Sequence, residues 1–307
     1  MALHVQEEEI ASVFINNKGR PMWQLQGISR SISLPCRSHP TTHRIEEELN
    51  KIKAWQAPVI PTSKTIKNGL AGLEDLYRCV EELLSLPVTQ QALSRHQNER
   101  WVDDLQDCFI SLLDICGNAK DVLSQIKEQA REIRSSLRRR KGNLSIKTSI
   151  AKYTRIRKKV KKEAKKLISE LKQMEYKIGA PQLLELDHHV SSVYRALREV
   201  SAVSFCVFQS LLLFLSKSRR RSLVSKLFHK GAVACEIQQE NVNELVTIDA
   251  TLQGPCRNTS REGDEIQIAQ NGLECLEDSI DAKEHKLDCL FRRLIEATAS
   301  LLNITSL

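Results

Sequence analysis

The 307-residue chain carries a net charge of +8, an apolar share of 41% and only 5% aromatic residues. That is enough apolar material for a packed core, while few aromatics and 11 glycines argue against a strand-rich fold.

Residues 1–40 show no sustained hydrophobic period and contain Gly19, Pro21, Gly27, Pro35 and Pro40; they read as a disordered N-terminal arm. Its start, MALHVQEEEI, has early glutamates and no apolar run, so no secretory signal is expected and the chain reads as intracellular. Residues 41–307 read as one α-helical domain. Pro40-Thr41-Thr42 opens a helix with Ile45, Leu49, Ile52 and Trp55 on one face, ended by Pro58 and Pro61. Thr62-Ser63 caps the next, whose face is Ile66, Leu70, Leu73, Tyr77, Val80 and Leu84, and Pro87 closes it. A short helix over 88–95 follows.

From Asn98 the apolar series steps by four and three through Trp101, Leu105, Cys108, Leu112, Ile115, Ala119, Val122 and Ile126. Gln129 interrupts it, and Ala130, Ile133 and Leu137 resume one residue on. After Gly142-Asn143 a second heptad series begins: Ile146, Ile150, Tyr153, Arg157, Val160, Ala164, Leu167, Leu171, Met174 and Ile178. Two long helices joined by a short Gly-Asn turn form an antiparallel hairpin. Pro181 suits the first turn of another helix, with Val190, Val193, Leu197, Val200, Val207, Leu211 and Leu215 inside. Within it, 200–215 (VSAVSFCVFQSLLLFL) is the one membrane candidate, but it is shorter than the ~20 apolar residues a span needs and reads as a buried core helix, with a membrane-inserted or peripheral segment as the alternative. Residues 217–262 read as a polar, irregular insertion, with a short helix around Leu223–Phe228. The last seam runs from Leu273 to Ile304, broken only by Lys283. The fold class is all-α: an elongated bundle of four or five main helices with a long antiparallel hairpin.

Charge is segregated. Residues 131–172 hold 17 Lys or Arg against three acids, a local +14; residues 236–307 hold six basic against fourteen acidic residues, or −8. The candidate basic surface is Arg138, Arg139, Arg140, Lys141, Arg155, Arg157, Lys158, Lys159, Lys161, Lys162, Lys165 and Lys166. Three readings are open for it: neutralisation by the acidic final helix, an anionic membrane surface, or nuclear import and nucleic acid. Specific nucleic-acid recognition is disfavoured, since only Tyr153 lies nearby as a stacking group.

No phosphate-loop, dinucleotide, nucleophile-elbow or H-E-x-x-H motif is present, and no cofactor is implied. The pair His188-His189 points about 100° apart on a helix and makes no metal site by itself. The nine cysteines form no C-x-x-C and have no His at zinc spacing. They read as free thiols in a reducing compartment, several of them small hydrophobes at core spacing. No catalytic or metal residues are nominated, and the chain reads as non-enzymatic.

Five segments carry a family likeness: RSISLPCRSHPTTHRIEEELNKIKAW (30–55), LEDLYRCVEELLSLP (73–87), RWVDDLQDCFISLLDICGNAKDVLSQIKE (100–128), SSLRRRKGN (135–143) and LFRRLIEATASLLNI (290–304). Together they resemble the plant domain-of-unknown-function family 241, related to the BYPASS proteins, from about residue 30 to the end. The resemblance implies a plant protein without known enzymatic activity. Its relatives are linked to root and shoot development through restraint of a root-derived mobile signal. Residues 1–29 are unlike the family's usual short start. At Ala297-Thr298-Ala299 the chain lacks a basic residue that the family pattern carries.

The string R-S-I-S-L-P in the arm also resembles the phosphopeptide motif read by 14-3-3 proteins. Arg30 at −3 suits a basophilic kinase, Ser33 would take the phosphate and Pro35 at +2 would turn the chain away. The partners expected are therefore proteins, among them a 14-3-3 protein through phosphorylated Ser33, and an anionic membrane surface. Cytoplasm or the periphery of an internal membrane is the expected location.

Overall fold

The computed structural model describes residues 40–54, 61–139, 143–178, 187–217, 243–252 and 262–306. Eight helices follow in these residues: α1 (Pro40–Ala54), α2 (Ser63–Ser85), α3 (Pro87–Arg95), α4 (Arg100–Arg138), α5 (Asn143–Lys177), α6 (His188–Ser216), α7 (Glu244–Thr251) and α8 (Glu262–Thr305). No strand occurs among the described residues, so the fold is all-α. At 44 residues α8 runs about 66 Å at 1.5 Å per residue.

Local signals set several ends. The Thr62 side chain accepts from the Thr65 amide, and the Thr65 hydroxyl accepts from the Thr62 amide, a reciprocal cap that starts α2. Pro87 sits in the first turn of α3, where its missing N–H costs nothing. The apolar faces read from spacing are the buried ones: Ile45, Leu49 and Ile52 of α1, Ile66 to Leu84 of α2, and the seams of α4 and α5. Gln129 does not interrupt the α4 seam but is buried within it.

Helix α6 is the centre. It packs against α1, α2, α3, α4 and α5. By length and composition α6 could cross a bilayer, yet 67% of its most apolar 18-residue window is buried inside the bundle. Its serines are accommodated by bonding back along the helix. Ser201, Ser204 and Ser210 donate to the carbonyls of Leu197 (2.9 Å), Val200 (2.8 Å) and Cys206 (2.9 Å). Tyr77 of α2 fills the space beside them, its hydroxyl 3.1 Å from Ser204 Oγ and its ring edge-on to Phe109 of α4.

The two arms of the hairpin, α4 and α5, are antiparallel. Glu132 meets Lys152 at 2.8 Å and Ser136 meets Ser149 at 3.4 Å. Helix α8 packs antiparallel along α4 and also against α2. Thiols line the seams: Cys108 and Cys116 are buried and Cys206 half-buried, and desolvation pushes all three up to about 12, which disfavours the thiolate.

The stretch 217–262, read as irregular, contains α7. Two features hid it: it is only eight residues long, and its polar anchors look like loop residues. Asn243 caps it, accepting from the amides of Leu245 (3.0 Å) and Val246 (3.4 Å) while its side-chain amide donates to the Phe214 carbonyl (2.8 Å). Leu245, Ile248 and Leu252 are buried. Gly272 of α8 makes room for this: a Cβ there would lie 2.8 Å from Ile248 Cδ1. The expected short helix at Leu223–Phe228, the N-terminal arm before Pro40, the Gly142 turn and the Pro181 helix start all lie outside the described residues.

Arg157 closes the joint between α5, α6 and α7. It is 8% exposed. Its guanidinium donates to Asp249 of α7 at 3.2 Å and to the carbonyls of Leu215 and Lys217 at 2.7 Å each, which end α6. Tyr153 donates to the same carboxylate at 2.9 Å. The α6 carbonyls would otherwise be orphaned. Replacing Arg157 with Ala should therefore cost about 3–5 kcal/mol in urea unfolding, because it leaves Asp249 without its buried partner. Lys158→Ala, one residue on and exposed, should change stability by less than about 0.5 kcal/mol.

Candidate interaction surface

The α5 seam fixes which side of that helix faces water. Taking Ile150, Arg157, Ala164 and Leu171 as position a of the heptad and Tyr153, Val160, Leu167 and Met174 as d, positions b, c and f point outward. Position b holds Lys158, Lys165 and Lys172; c holds Lys152, Lys159 and Lys166; f holds Arg155 and Lys162. All eight are exposed, as is Lys161 at e. The run from 152 to 172 spans about 30 Å. It forms a basic ridge along one helix.

Most of the ridge is unpaired. Lys152 pairs with Glu132 at 2.8 Å and Lys166 with Glu170 at 3.5 Å. Among the described residues, Arg155, Lys158, Lys159, Lys161, Lys162 and Lys165 make no ion pair. The first arm of the hairpin differs. There the acidic α8 neutralises α4: Lys120 meets Asp288 (2.5 Å), Lys127 meets Asp281 (2.9 Å) and Glu284, and Arg131 and Arg134 share Glu277 (3.2 and 2.8 Å). The acidic final helix thus lies beside one arm of the basic hairpin only. α5 packs on α4 and α6 instead, so α8's carboxylates do not reach its outer face.

The other sequence candidates are distributed as follows. Arg138 and Arg139 are exposed at the end of α4, next to the ridge's start. Arg140 and Lys141, and Arg30, Ser33 and Pro35, lie outside the described residues. Arg157 is not a surface residue. Its place at a in the seam was the sign that it turns inward, against the sign of its charged neighbours. His189 Nε2 lies 3.4 Å from the Thr89 hydroxyl and His188 is exposed. Among the described residues, no group of three or more His, Cys, Asp or Glu is placed to hold a metal ion.

A second charged centre, hinted at only by a break in the α8 seam, is buried. Lys283 is 1% exposed. Its ammonium donates to the hydroxyls of Ser63 and Ser279, the latter at 2.6 Å, and to the Ser279 carbonyl at 3.2 Å. It stands 4.9 Å from the centre of the Phe214 ring. Ser279 in turn donates to Glu244 of α7 at 3.1 Å. The cluster ties the starts of α2 and α7 to mid-α8. Burial pushes the Lys283 pKa down to about 8, against the pull of Glu244 and with the push of Lys67. A lysine beside serine hydroxyls with a near-neutral pKa is chemically capable of activating an oxygen nucleophile. At 1% exposure this one is shut off from solvent.

The family model described as Protein BPS1 matches residues 69–304. The chain belongs to this family, the domain-of-unknown-function family 241. No curated protein and no solved structure matches the chain. The match takes in α4, the ridge helix α5, α6, α7 and all of α8 up to Ile304, together with most of α2. BPS1 is not a known enzyme family.

The Lys283 centre has a pH signature. Between the folded pKa near 8 and the unfolded value of 10.5, the unfolded chain binds the extra proton, so stability rises with pH across that window. Lys283→Met should be as stable as the parent or more so at pH 7. That advantage should shrink by on the order of 3 kcal/mol between pH 8 and 10.5, read from urea unfolding of the two chains side by side. A constant difference would show that the ammonium is not held against its charge.

Proposed function

We propose that this plant BPS1-family chain is a non-enzymatic helical interaction protein, acting in root and shoot development, and that its contact face is the basic ridge of α5. One observation supports this above the others. Six basic residues of the ridge have no ion-pair partner, while Lys120, Lys127, Arg131 and Arg134 of α4 each meet a carboxylate of α8. Repulsion along an uncompensated row of charges opposes folding, so such a row is retained at a cost and is relieved when an acidic partner covers it. The bundle holds the row rigid, which lowers the ordering entropy of binding.

Proximity labelling in root tissue tests this. The parent chain should label a defined set of neighbours that is lost when Lys158, Lys159, Lys161 and Lys162 are changed to Glu. Reversal of Asp103, Asp107 and Asp114 on the exposed side of α4 should leave the set intact. Identical sets for the parent and the lysine-reversed chain would remove the ridge from the function.

The N-terminal arm adds a regulated contact to this reading. Phosphate on Ser33 would bring close to two negative charges and strong acceptors beside Arg30. A phosphorylated peptide of residues 28–38 should bind a 14-3-3 protein in a fluorescence polarisation assay, and the Ser33→Ala peptide should not. Equal binding of both, or of neither, ends the idea.

A further inference from the structure

The ridge has apolar ends. Leu144, at position b in the first turn of α5, is 81% exposed, and Tyr176, at f in its last turn, is 89% exposed. They are the two most exposed large apolar side chains among the described residues, the others ranging from 39% to 60%. Both stand on the same outward face as Lys158, Lys162 and Lys165. They are separated by 32 residues of continuous helix, or about 48 Å.

Building on the ridge reading above, we propose that the partner of this face is the anionic headgroup surface of a lipid bilayer, on which α5 lies lengthwise with Leu144 and Tyr176 dipping in at either end. Several features choose this partner over a protein or a nucleic acid. The ridge occupies the b, c and f positions of one continuous helix, an arrangement that can lie lengthwise on a plane. A protein partner would seek an apolar centre with charge at the rim; here the centre is charged and the apolar groups lie at the two extremes. The cations are lysines with a single arginine at b, c and f, which suits diffuse attraction to a charged plane rather than bidentate recognition of one phosphate. A nucleic-acid major groove admits a helix only with clear flanks, and α4 and α6 flank α5. The face also lacks stacking groups along the basic stretch, since Tyr153 is buried. Tyr176 combines an apolar ring with a polar tip, the combination suited to a headgroup layer. Arg138 and Arg139 extend the positive charge beyond Leu144.

The contact is a surface association. α6, the one described helix apolar enough to span a bilayer, is enclosed by its neighbours and takes no part.

Co-sedimentation of the full chain with vesicles tests the proposal. The parent should pellet with phosphatidylcholine vesicles that contain phosphatidylserine and stay in solution with phosphatidylcholine alone. Each ridge lysine should contribute about five-fold in partition at low salt. The chain carrying Lys158→Glu, Lys159→Glu, Lys162→Glu and Lys165→Glu should therefore lose more than about 100-fold, with its helical circular dichroism unchanged. The chain carrying Leu144→Ser and Tyr176→Ser should keep the electrostatic attraction, bind about 10-fold more weakly, and be released at lower salt than the parent. Absence of pelleting with phosphatidylserine at low salt, or equal pelleting of the charge-reversed chain, overturns the membrane proposal. Unchanged binding of the Leu144/Tyr176 variant overturns the lengthwise pose. Poly-aspartate and a single-stranded RNA oligonucleotide are assayed in parallel. If vesicles fail while either polymer binds the parent and not the charge-reversed chain, the partner is a macromolecular polyanion, and the ridge reading stands without the membrane. If all three fail, the ridge reading falls too.

Discussion

Enclosing α6 is the constraint on which the rest of the structure depends. From Val190 to Leu215 that helix has apolar residues on every side, and no single neighbour can cover it. Burying a Leu, Val or Phe side chain contributes about 1.5–3 kcal/mol each, so leaving one side open would forfeit many such contributions. Five helices therefore surround it. α5 is one of these walls. Its a/d seam goes to α4 and α6, and the 3.5-residue period then obliges b, c and f to face water. The free lysines of the ridge are a consequence of where the core sits.

Two buried cations show how differently a charge can be accommodated in the same bundle. Arg157 has a carboxylate and two helix-terminal carbonyls around it, all groups that need a donor. Its planar fork meets them together, which an ammonium could not do. Lys283 has hydroxyls, one carbonyl and a ring face, with the nearest carboxylate reached only through Ser279. Its neighbours solvate it incompletely, and burial shows in its lowered proton affinity. Both cations contact or lead to α7. An eight-residue helix is marginal in isolation, so α7 owes its form to these anchors and to the burial of Leu245 and Ile248.

Long, strongly periodic elements were legible and short, tertiary-dependent ones were not. The seams of α2, α4, α5 and α8 follow from apolar spacing alone, and the Thr62 cap and Pro87 start follow from local chemistry. Gln129 and Arg157 were harder, because a polar residue at a seam position can be expelled or buried depending on partners from elsewhere in the chain. For Arg157 those partners are Asp249 and the end of α6, 92 and about 60 residues away. The clustering of basic residues was plain in the string; which of them stay unpaired was not. Arg131, Arg134 and Lys158 look alike in sequence, yet the first two face α8 and the last faces water.

By itself, the sequence determined the helical class, the hairpin, the capping sites, the family and the existence of a basic segment, since each rests on interactions within a few turns of chain or on a linear pattern. The tertiary structure alone decided that α8 neutralises α4 but not α5, that Arg157 and Lys283 are interior charges, that a helix forms at Glu244–Thr251, and that Leu144 and Tyr176 share the outer face of the ridge. These depend on which helices become neighbours, and that is settled by enclosing α6 rather than by any local preference.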